Sequence, residues 1–523
     1  MTVSEDHGRT GGGVCPFTGA TAEETKQDVT GPKGLPLVGI TMNLGLNPLD
    51  FTLKTQRDWG SMVKINLIPN DYIQVTNPEA IERVLVSNIG NYRRGKLYKT
   101  FHSYMGMGLL TLDDAEWRAH RKVVQPAFTP KRIGASIAET IGAAQDVFDR
   151  WERRAATGEE FDLVVDTMDL SARVLGKALI SRDLSSKERT FTKAVAAALE
   201  VIFKNVSSVE ELLVPKWVPI AYFRRKRNAH KVLNKIIDRE VRERTAKGDP
   251  GDDAAGLLMK SDLPPNALPD NLRTMFLAGS ETTGLSLAWA IYELTRAPSV
   301  RRQVEEEVDR VLQGRIPTYE DLDKLVITKS VVDETLRLYP SVWQFPRDPV
   351  TDDELAGHHV PAGATVMISA FGTHRNPEVW ENPNAFDPTR FHDPEEQRRR
   401  PKFAYLPFGG GRRQCIGKPL ALAILVASVA MACQRYRFSL PLDQEQVKPG
   451  AFITIFPEKF PNKGIRVTVR RRDPVVSGVD TDTDTDTDTE TGADTNTDTN
   501  TGPEQAEHVP AEQERPEQEQ VRA

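Results

Sequence analysis

The chain has 523 residues, of which 39% are hydrophobic, so it can bury a large core in one domain or in several. A mean hydropathy of −0.44 and the lack of an apolar run long enough to span a bilayer argue against an integral membrane protein. Its three cysteines are too few and too scattered for a disulfide framework or a zinc site, and this usage fits a reducing cytoplasm.

Charge is unevenly distributed along the chain. From Asp480 onward, fourteen acidic residues stand against Arg515 and Arg522, a net charge of −12; since the total is −6, residues 1–479 carry +6. No nucleic-acid motif accompanies this positive charge, and an acidic protein partner explains it better. Residues 473–523 consist of Thr-Asp repeats and polar residues, and we predict that they form a disordered acidic tail.

The first elements in chain order are a polar lead and a pair of strands. Residues 1–30 lack the apolar segment of a signal peptide or membrane anchor, and we predict that they are flexible. Residues 62–68 and Tyr72–Val75 have strand composition, with Pro69-Asn70-Asp71 as the turn between them. Residues 88–113 are predicted to form a loop whose large apolar side chains either pack on the core or wall a pocket.

A long helix is predicted over about residues 270–296, and it contains Ala278-Gly279-Ser280-Glu281-Thr282-Thr283. A glycine inside a helix costs about 1 kcal/mol relative to alanine and usually marks a close approach. Glu281 and Thr282 are polar residues in an apolar helix, against the usual burial preference. An acid beside an alcohol suits the delivery of protons, although a polar kink facing solvent would give the same pattern.

Two residue pairs share helix faces because of their spacing. Trp117 and Arg121 are four residues apart, and Glu334 and Arg337 are three apart. Ion pairs with the spacing of Glu334 and Arg337 are common on solvated helices, where each contributes only a few tenths of a kcal/mol. The spacing alone therefore indicates helices and leaves the function of these residues open.

The elements after residue 340 are predicted to be short strands and one apolar helix. Residues 366–369 have strand composition, and residues 452–456 and 465–470 are predicted to form a hairpin. Residues 420–431 form an apolar helical run.

Directly before this run lies Phe408-Gly409-Gly410-Gly411-Arg412-Arg413-Gln414-Cys415-Ile416-Gly417, a glycine-rich loop that ends in a lone cysteine. The helix dipole and the free N–H groups of the first turn are expected to lower the pKa of Cys415, and the thiolate is the form that binds metals. The glycines allow close approach of a flat, bulky partner, and Arg413 supplies a cation for an anionic group on it. The combination suggests haem with a cysteine ligand, and a buried structural cysteine is the alternative.

The loop resembles the cysteine-ligand loop of the cytochrome P450 family. That family's pattern Phe-x-x-Gly-x-Arg-x-Cys-x-Gly is met at Phe408, Gly411, Arg413, Cys415 and Gly417. The resemblance implies a mostly α fold with a small β-rich part, in which a triangular helical domain of residues 31–472 encloses haem b. It also implies a haem-thiolate monooxygenase.

The resemblance assigns roles to individual residues in three groups. Cofactor binding would involve Cys415 as the metal ligand, together with Arg413, Phe408, Trp117, Arg121, Arg347 and Gly279. Thr282 and Glu281 would be the catalytic alcohol and acid, and Glu334, Arg337 and Arg390 would form a network that supports the Cys415 loop. The substrate pocket would be lined by Phe101, Met105, Leu109, Leu110, Val342, Trp343 and Ile453.

The implied reaction inserts one oxygen atom from O2 into a hydrophobic molecule of secondary metabolism, such as a terpene, a fatty acyl chain or a polyketide. Electrons would come from a separate ferredoxin with its reductase, or from a flavodoxin. We expect a cytoplasmic monomer of the soluble bacterial type, without a membrane anchor or nucleic-acid partner. A peroxide-driven peroxygenase and a non-catalytic haem-thiolate protein are the alternatives, and the acid–alcohol pair favours the monooxygenase.

Overall fold

Capping residues and prolines determine where helices begin. The side chain of Asn47 accepts a hydrogen bond from the backbone N–H of Asp50 at 3.2 Å, and Pro48 occupies the first turn of the helix Pro48–Trp59. Gly60, with a φ of +92°, ends this helix because glycine adopts the conformation needed to leave it without steric cost.

The computed structural model describes residues 27–32, 47–66, 71–182, 221–459 and 464–472. Its α-helices are α1 (Pro48–Trp59), α2 (Pro78–Glu82), α3 (Tyr98–Met105), α4 (Asp114–Val124), α5 (Pro130–Gly142), α6 (Gln145–Thr157), α7 (Leu163–Ile180), α8 (Ala221–Lys247), α9 (Ala254–Met259), α10 (Ala267–Arg296), α11 (Pro298–Leu312), α12 (Tyr319–Leu322), α13 (Val326–Leu338), α14 (Ala370–Thr373), α15 (Pro394–Arg399) and α16 (Lys418–Arg435).

The strands are short. In chain order they are β1 (Gln27–Asp28), β2 (Met62–Ile65), β3 (Tyr72–Val75), β4 (Tyr92–Arg93), β5 (Phe161–Asp162), β6 (Gln344–Pro349), β7 (Asp353–Leu355), β8 (His358–Val360), β9 (Thr365–Ser369), β10 (Tyr436–Ser439), β11 (Pro449–Ala451), β12 (Ile455–Pro457) and β13 (Arg466–Arg471).

The largest sheet has the strand order β2-β3-β9-β6-β4. β3 and β9 are parallel, with Ile73 opposite Val366, and β6 runs antiparallel to β9, with Phe345 opposite Ile368. Smaller sheets have the orders β10-β13-β5, β1-β8-β7 and β11-β12. The predicted fold, mostly α with a small β-rich part, is confirmed.

Helix α10 crosses the middle of the core, and most of its residues are buried on every side. It packs most extensively against α7, and two glycines permit the close approach. A Cβ on Gly284 would lie 2.8 Å from the Cα of Met168, and a Cβ on Gly279 would lie 2.9 Å from a methyl carbon of Leu175. The glycine that the sequence singles out in this helix therefore makes room for α7.

Helix α16 is the apolar helix after Cys415, and it packs against α10, α11 and α13. Its 18 residues, with a mean hydropathy of 1.3, are long and apolar enough to cross a membrane, but 72% of the segment is buried inside the fold. The expectation that no apolar run reaches this length is therefore wrong. Burial by its neighbours explains the composition of α16 as that of a core helix.

The structure also corrects two predicted elements. Residues 452–456 and 465–470 do not form a hairpin, because β12 pairs with β11 and β13 pairs with β10. The predicted loop of residues 88–113 contains α3. Strand composition alone does not identify the partner of a strand.

The predicted strand pair β2–β3 is antiparallel, as expected. The predicted acidic tail, residues 473–523, and residues 1–26 of the predicted lead lie outside the described residues. The end of that lead, Gln27–Asp28, pairs with His358 and His359.

Substituting Gly284→Ala is expected to destabilise the protein by about 1–3 kcal/mol, because the added methyl group would press on the backbone of α7. Gly142→Ala is the matched control, since Gly142 also lies in a helix but a Cβ there meets nothing within 4 Å. Chemical denaturation of both variants checks this expectation, and equal stability of the two would contradict it.

Candidate active site and cofactor cavity

Glycines shape the loop that carries Cys415. Gly411 has a φ of +65°, which side chains rarely adopt, and a Cβ there would collide with the backbone oxygen of Leu85. The backbone N–H of Cys415 donates to the carbonyl of Phe408 at 3.0 Å and closes the loop on itself. Helix α16 begins at Lys418, so the thiol lies beside a helix N-terminus.

The electrostatic surroundings of the Cys415 thiol differ from the sequence expectation. Burial raises its pKa and outweighs the backbone N–H groups of Gly417 and Lys418 and the guanidinium of Arg121, all of which favour the thiolate. The predicted lowering of the pKa is therefore wrong, although the predicted local influences are present. Coordination of a metal cation is one way to stabilise a thiolate in such surroundings.

A cavity of about 310 Å³ lies between α10 and the Cys415 loop. The predicted site residues that line it are Trp117, Arg121, Leu109, Leu110, Gly279, Thr282, Val342, Arg347, Phe408, Arg413 and Cys415. The predicted catalytic and pocket residues that do not line it are Glu281, Phe101, Met105, Trp343 and Ile453, and the predicted supporting network of Glu334, Arg337 and Arg390 also lies outside it.

Four predicted pocket residues instead support the segments that form the wall. The indole N–H of Trp343 donates to the carbonyl of Phe452 at 2.7 Å, and Ile453 packs half-buried against the core. Met105 is buried, and Phe101 lies with its ring 5.9 Å from that of Tyr98. The family resemblance placed these side chains in the pocket lining, but it did not decide which way each side chain faces.

One end of the cavity carries several arginines. Burial, together with the charges of Arg94 and Arg347, lowers the pKa of Arg413 to about 10. Arg413 also donates to Asp113 Oδ1 at 2.9 Å, and its guanidinium carbon lies 4.5 Å from the centre of the Trp117 ring. The crowded cations favour an anionic group at this end of the cavity.

Sequence reasoning missed two residues at this end of the cavity, Arg94 and Tyr98. The buried Arg94 donates to the carbonyl of Leu109 at 3.1 Å, but its Nε has no hydrogen-bond partner within the described residues. Burial opposes ionisation of Tyr98, but the charges of Arg94 and Arg347 outweigh it and lower the pKa of the phenol. One signal in the sequence could have pointed to Arg94: it is a cationic residue in a segment of large apolar side chains.

These features fit a haem. The thiol of Cys415 faces the cavity, and the glycines of its loop leave room for a flat molecule to lie against the backbone. Arg94, Arg347 and Arg413 supply the cations that the carboxylates of a porphyrin would need. The unpartnered Nε of Arg94 is a donor that such a carboxylate would satisfy.

The two residues of the acid–alcohol pair face different surroundings. Thr282 lines the cavity, and its hydroxyl donates to the carbonyl of Ala278 at 2.7 Å within the helix. Glu281 is buried beside the cavity, and its Oε1 accepts from the hydroxyl of Thr454 at 2.6 Å. Burial raises the pKa of Glu281 to about 8, so its carboxyl carries a proton at neutral pH.

Glu334, Arg337 and Arg390 lie together, as the resemblance implies. Arg337 donates from Nε and Nη2 to the two carboxylate oxygens of Glu334 at 2.7 and 2.8 Å, and both side chains are 0% exposed. Arg390 Nε lies 3.5 Å from Glu334 Oε1. Arg337 Nη1 also donates to the carbonyls of His374 and Pro383 at 2.8 and 2.7 Å.

His374 connects this ion pair to the cysteine loop. Its Nδ1 lies 3.1 Å from the carbonyl oxygen of Arg337, and its Nε2 accepts from the backbone N–H of Leu406 at 2.9 Å. Burial and the nearby Arg337 lower the pKa of His374 to about 3, so the ring is neutral and satisfies both contacts with one proton. Leu406 leads directly into the Phe408 to Cys415 loop.

Comparison with known proteins identifies similar chains. The cytochrome P450 family profile matches residues 29–460. Cyclooctatin synthase of Streptomyces melanosporofaciens is 32% identical over 80% of this chain and 91% of its own length. Cyclooctat-9-en-7-ol 5-monooxygenase of the same organism is 32% identical over 78% and 89% of the two chains. Protein LUTEIN DEFICIENT 5, chloroplastic, of Arabidopsis thaliana is 30% identical over 79% and 72%.

A solved structure has the same fold. The crystal structure of the cytochrome P450DA heme domain superposes with a TM-score of 0.76 and 24% identity, and the match covers 86% of this chain and 98% of that one.

Substituting Glu334→Gln is expected to destabilise the protein by about 3–5 kcal/mol and to reduce haem retention, because Arg337 would keep a buried charge without its partner. Glu395→Gln is the matched control, since Glu395 and Arg398 have the same spacing but are 65% and 67% exposed. We expect little change there. Thermal denaturation and haem content of both variants measure these effects. Equal losses in the two variants would contradict the expectation that burial makes the Glu334–Arg337 pair more important.

Stability of the wild-type protein should fall between about pH 4.5 and pH 8 relative to Glu281→Gln. The unfolded chain releases the Glu281 proton near pH 4.5, whereas the folded protein keeps it to about pH 8. The stabilisation that the folded protein gains by holding this proton is thus complete below pH 4.5 and is lost as the pH rises through 8. Denaturation midpoints over this range measure it, and parallel curves would contradict it.

Proposed function

The chain belongs to the cytochrome P450 family of haem-thiolate monooxygenases, and from this premise we propose that it inserts one atom of O2 into a terpene-like hydrophobic molecule. The observation that carries the proposal is the Cys415 thiol facing an apolar cavity, with an arginine cluster at one end and Thr282 in the opposite wall. Haem bound through Cys415 would supply the electron-transfer and O2 chemistry.

The chain's own residues would have distinct tasks. Arg94, Arg347 and Arg413 would bind the carboxylates of the haem, and Thr282 would present its hydroxyl to the reacting side of the cavity. Glu281 holds a proton at neutral pH one residue away, so it would serve as the acid of the pair. This pair favours a reaction driven by O2 over one driven by peroxide.

The substrate class is proposed from the cavity wall and the relatives. Side chains lining the cavity include apolar residues from several elements: Leu109, Leu110, Leu175, Leu179, Met275 and Val342. Such a wall excludes water and favours a hydrophobic molecule. Among terpenes, fatty acyl chains and polyketides, the relatives named for cyclooctatin and lutein favour a terpene. Hydroxylation and epoxidation would both suit this site.

Electrons would come from a separate ferredoxin with its reductase, or from a flavodoxin. Arg118 and Lys122 on α4 are exposed, and Arg412 is exposed in the cysteine loop. These cations would face an acidic partner on the cysteine side of the cavity, which would shorten the path to the haem. We further propose that the enzyme acts as a monomer in the cytoplasm.

Reduction of the haem-loaded protein under carbon monoxide is expected to give the strongly red-shifted Soret band of a thiolate-bound haem. Cys415→Ser should lose this band because an alcohol is not a thiolate donor. Cys433→Ala is the control, since Cys433 is buried in α16 and does not line the cavity. Retention of the band in Cys415→Ser would overturn the assignment of the ligand.

Incubation with 18O2, a ferredoxin or flavodoxin system and candidate terpenes tests the reaction itself. One labelled oxygen atom in the product would support the proposal. A product labelled only by added peroxide, or turnover of fatty acids without turnover of any terpene, would overturn the electron source or the substrate class.

A further inference from the structure

The carboxyl group of Glu281 is held by a residue that is distant in sequence. Thr454 lies in the turn between β11 and β12, and its hydroxyl donates to Glu281 Oε1 at 2.6 Å. Both side chains are buried, with exposed fractions of 2% for Thr454 and 6% for Glu281. Among the described residues, burial and this hydroxyl are the influences on the pKa of Glu281, and no charged group contributes. Thr454 is therefore the main polar contact of the acid.

The turn that carries Thr454 is joined to the cavity wall. Thr454 forms an isolated antiparallel bridge with Val342, which lines the cavity. The backbone N–H of Ile455 donates to the carbonyl of Ser341 at 3.1 Å, and the indole of Trp343 donates to the carbonyl of Phe452 at 2.7 Å. Residues 452–455 are therefore joined to Ser341 and Val342, which line the cavity.

The same wall segment also reaches the alcohol of the pair. The hydroxyls of Ser341 and Ser286 lie 2.8 Å apart, and both contact the backbone carbonyl of Thr282, at 3.3 Å from Ser341 and 2.8 Å from Ser286. Two neighbouring residues of α10 are therefore hydrogen-bonded to these joined segments: Thr282 through its backbone carbonyl and Glu281 through its carboxyl group.

We propose that Thr454 is a positioning residue for the acid: its hydroxyl holds the Glu281 carboxyl toward the turn of residues 452–455, so that the cavity wall sets how Glu281 gives up its proton. The proposal rests on the proposed monooxygenase function. It involves transfer of a proton only, from the Glu281 carboxyl toward the cavity, with a replacement proton taken from solvent. Thr454 lies in none of the sequence motifs that identify the site.

The first test observes the acid directly. In the haem-loaded protein, infrared difference spectra against Glu281→Gln report the carbonyl stretch of the protonated Glu281 carboxyl as the pH is raised. Thr454→Val removes the donor that favours the carboxylate, so the pH at which this signal disappears should rise by roughly one unit. Thr454→Ser keeps the hydroxyl and should restore the wild-type midpoint.

Thr335→Val is the matched control, because Thr335 is buried and its hydroxyl donates to the carbonyl of Val331 in its own helix. Its midpoint should equal that of the wild type. If Thr454→Val fails to fold, Thr454→Ala provides the variant without a hydroxyl. Equal midpoints in the wild type and in the hydroxyl-free variant would overturn the proposal, as would failure of Thr454→Ser to restore the midpoint.

The second test measures product formed per NADPH consumed with a reconstituted electron donor, as a function of pH. Thr454→Val should lower this ratio several-fold and shift its pH profile, and Thr454→Ser should recover both. A lower ratio without any shift of the profile would indicate a merely structural role and would overturn the proposal. If the wild type shows no thiolate-type Soret band or no turnover, the proposed function fails, while the infrared result still decides the contact between Thr454 and Glu281.

Discussion

Glu334 and Arg337 are removed completely from solvent, so the cost of dehydrating two charges has to be recovered inside the fold. Their mutual pairing uses both carboxylate oxygens, and the remaining guanidinium donors bind backbone carbonyls such as that of His374. Those contacts fix the segment after β9, and the neutral imidazole of His374 passes the constraint to Leu406. A series of contacts thus runs from this buried charge pair to Leu406, which leads into the Cys415 loop.

The cavity between α10 and the cysteine loop favours an anion at one end and a cation near Cys415. Arg94, Arg347 and Arg413 crowd one end, and the Nε of Arg94 has no hydrogen-bond partner among the described residues, which favours an anionic guest. Burial raises the pKa of the Cys415 thiol in the same cavity, and a cation close to the sulfur would favour its thiolate. A metal porphyrin carries carboxylates and a cationic centre, and so it meets both requirements at once.

Helix α10 joins the packing of the core to the chemistry of the site. Gly279 and Gly284 allow α7 to approach from one side, and Thr282 faces the cavity on another. Because the helix is buried almost all round, burial raises the pKa of Glu281 and its carboxyl keeps its proton at neutral pH. Close packing and proton affinity are therefore two consequences of the same burial.

Local spacing in the sequence determined the cysteine loop, the Glu334–Arg337 pair and the acid–alcohol pair, because each lies within one loop or a few residues of one helix. The glycines around Cys415 were recognisable for the same reason. Only the tertiary structure brought Arg94 and Tyr98 to the arginine cluster, paired β13 with β10, and set Thr454 against Glu281. It also reversed the expected shift in the pKa of Cys415, since desolvation depends on atoms supplied by distant segments, whereas a helix N-terminus is a local feature.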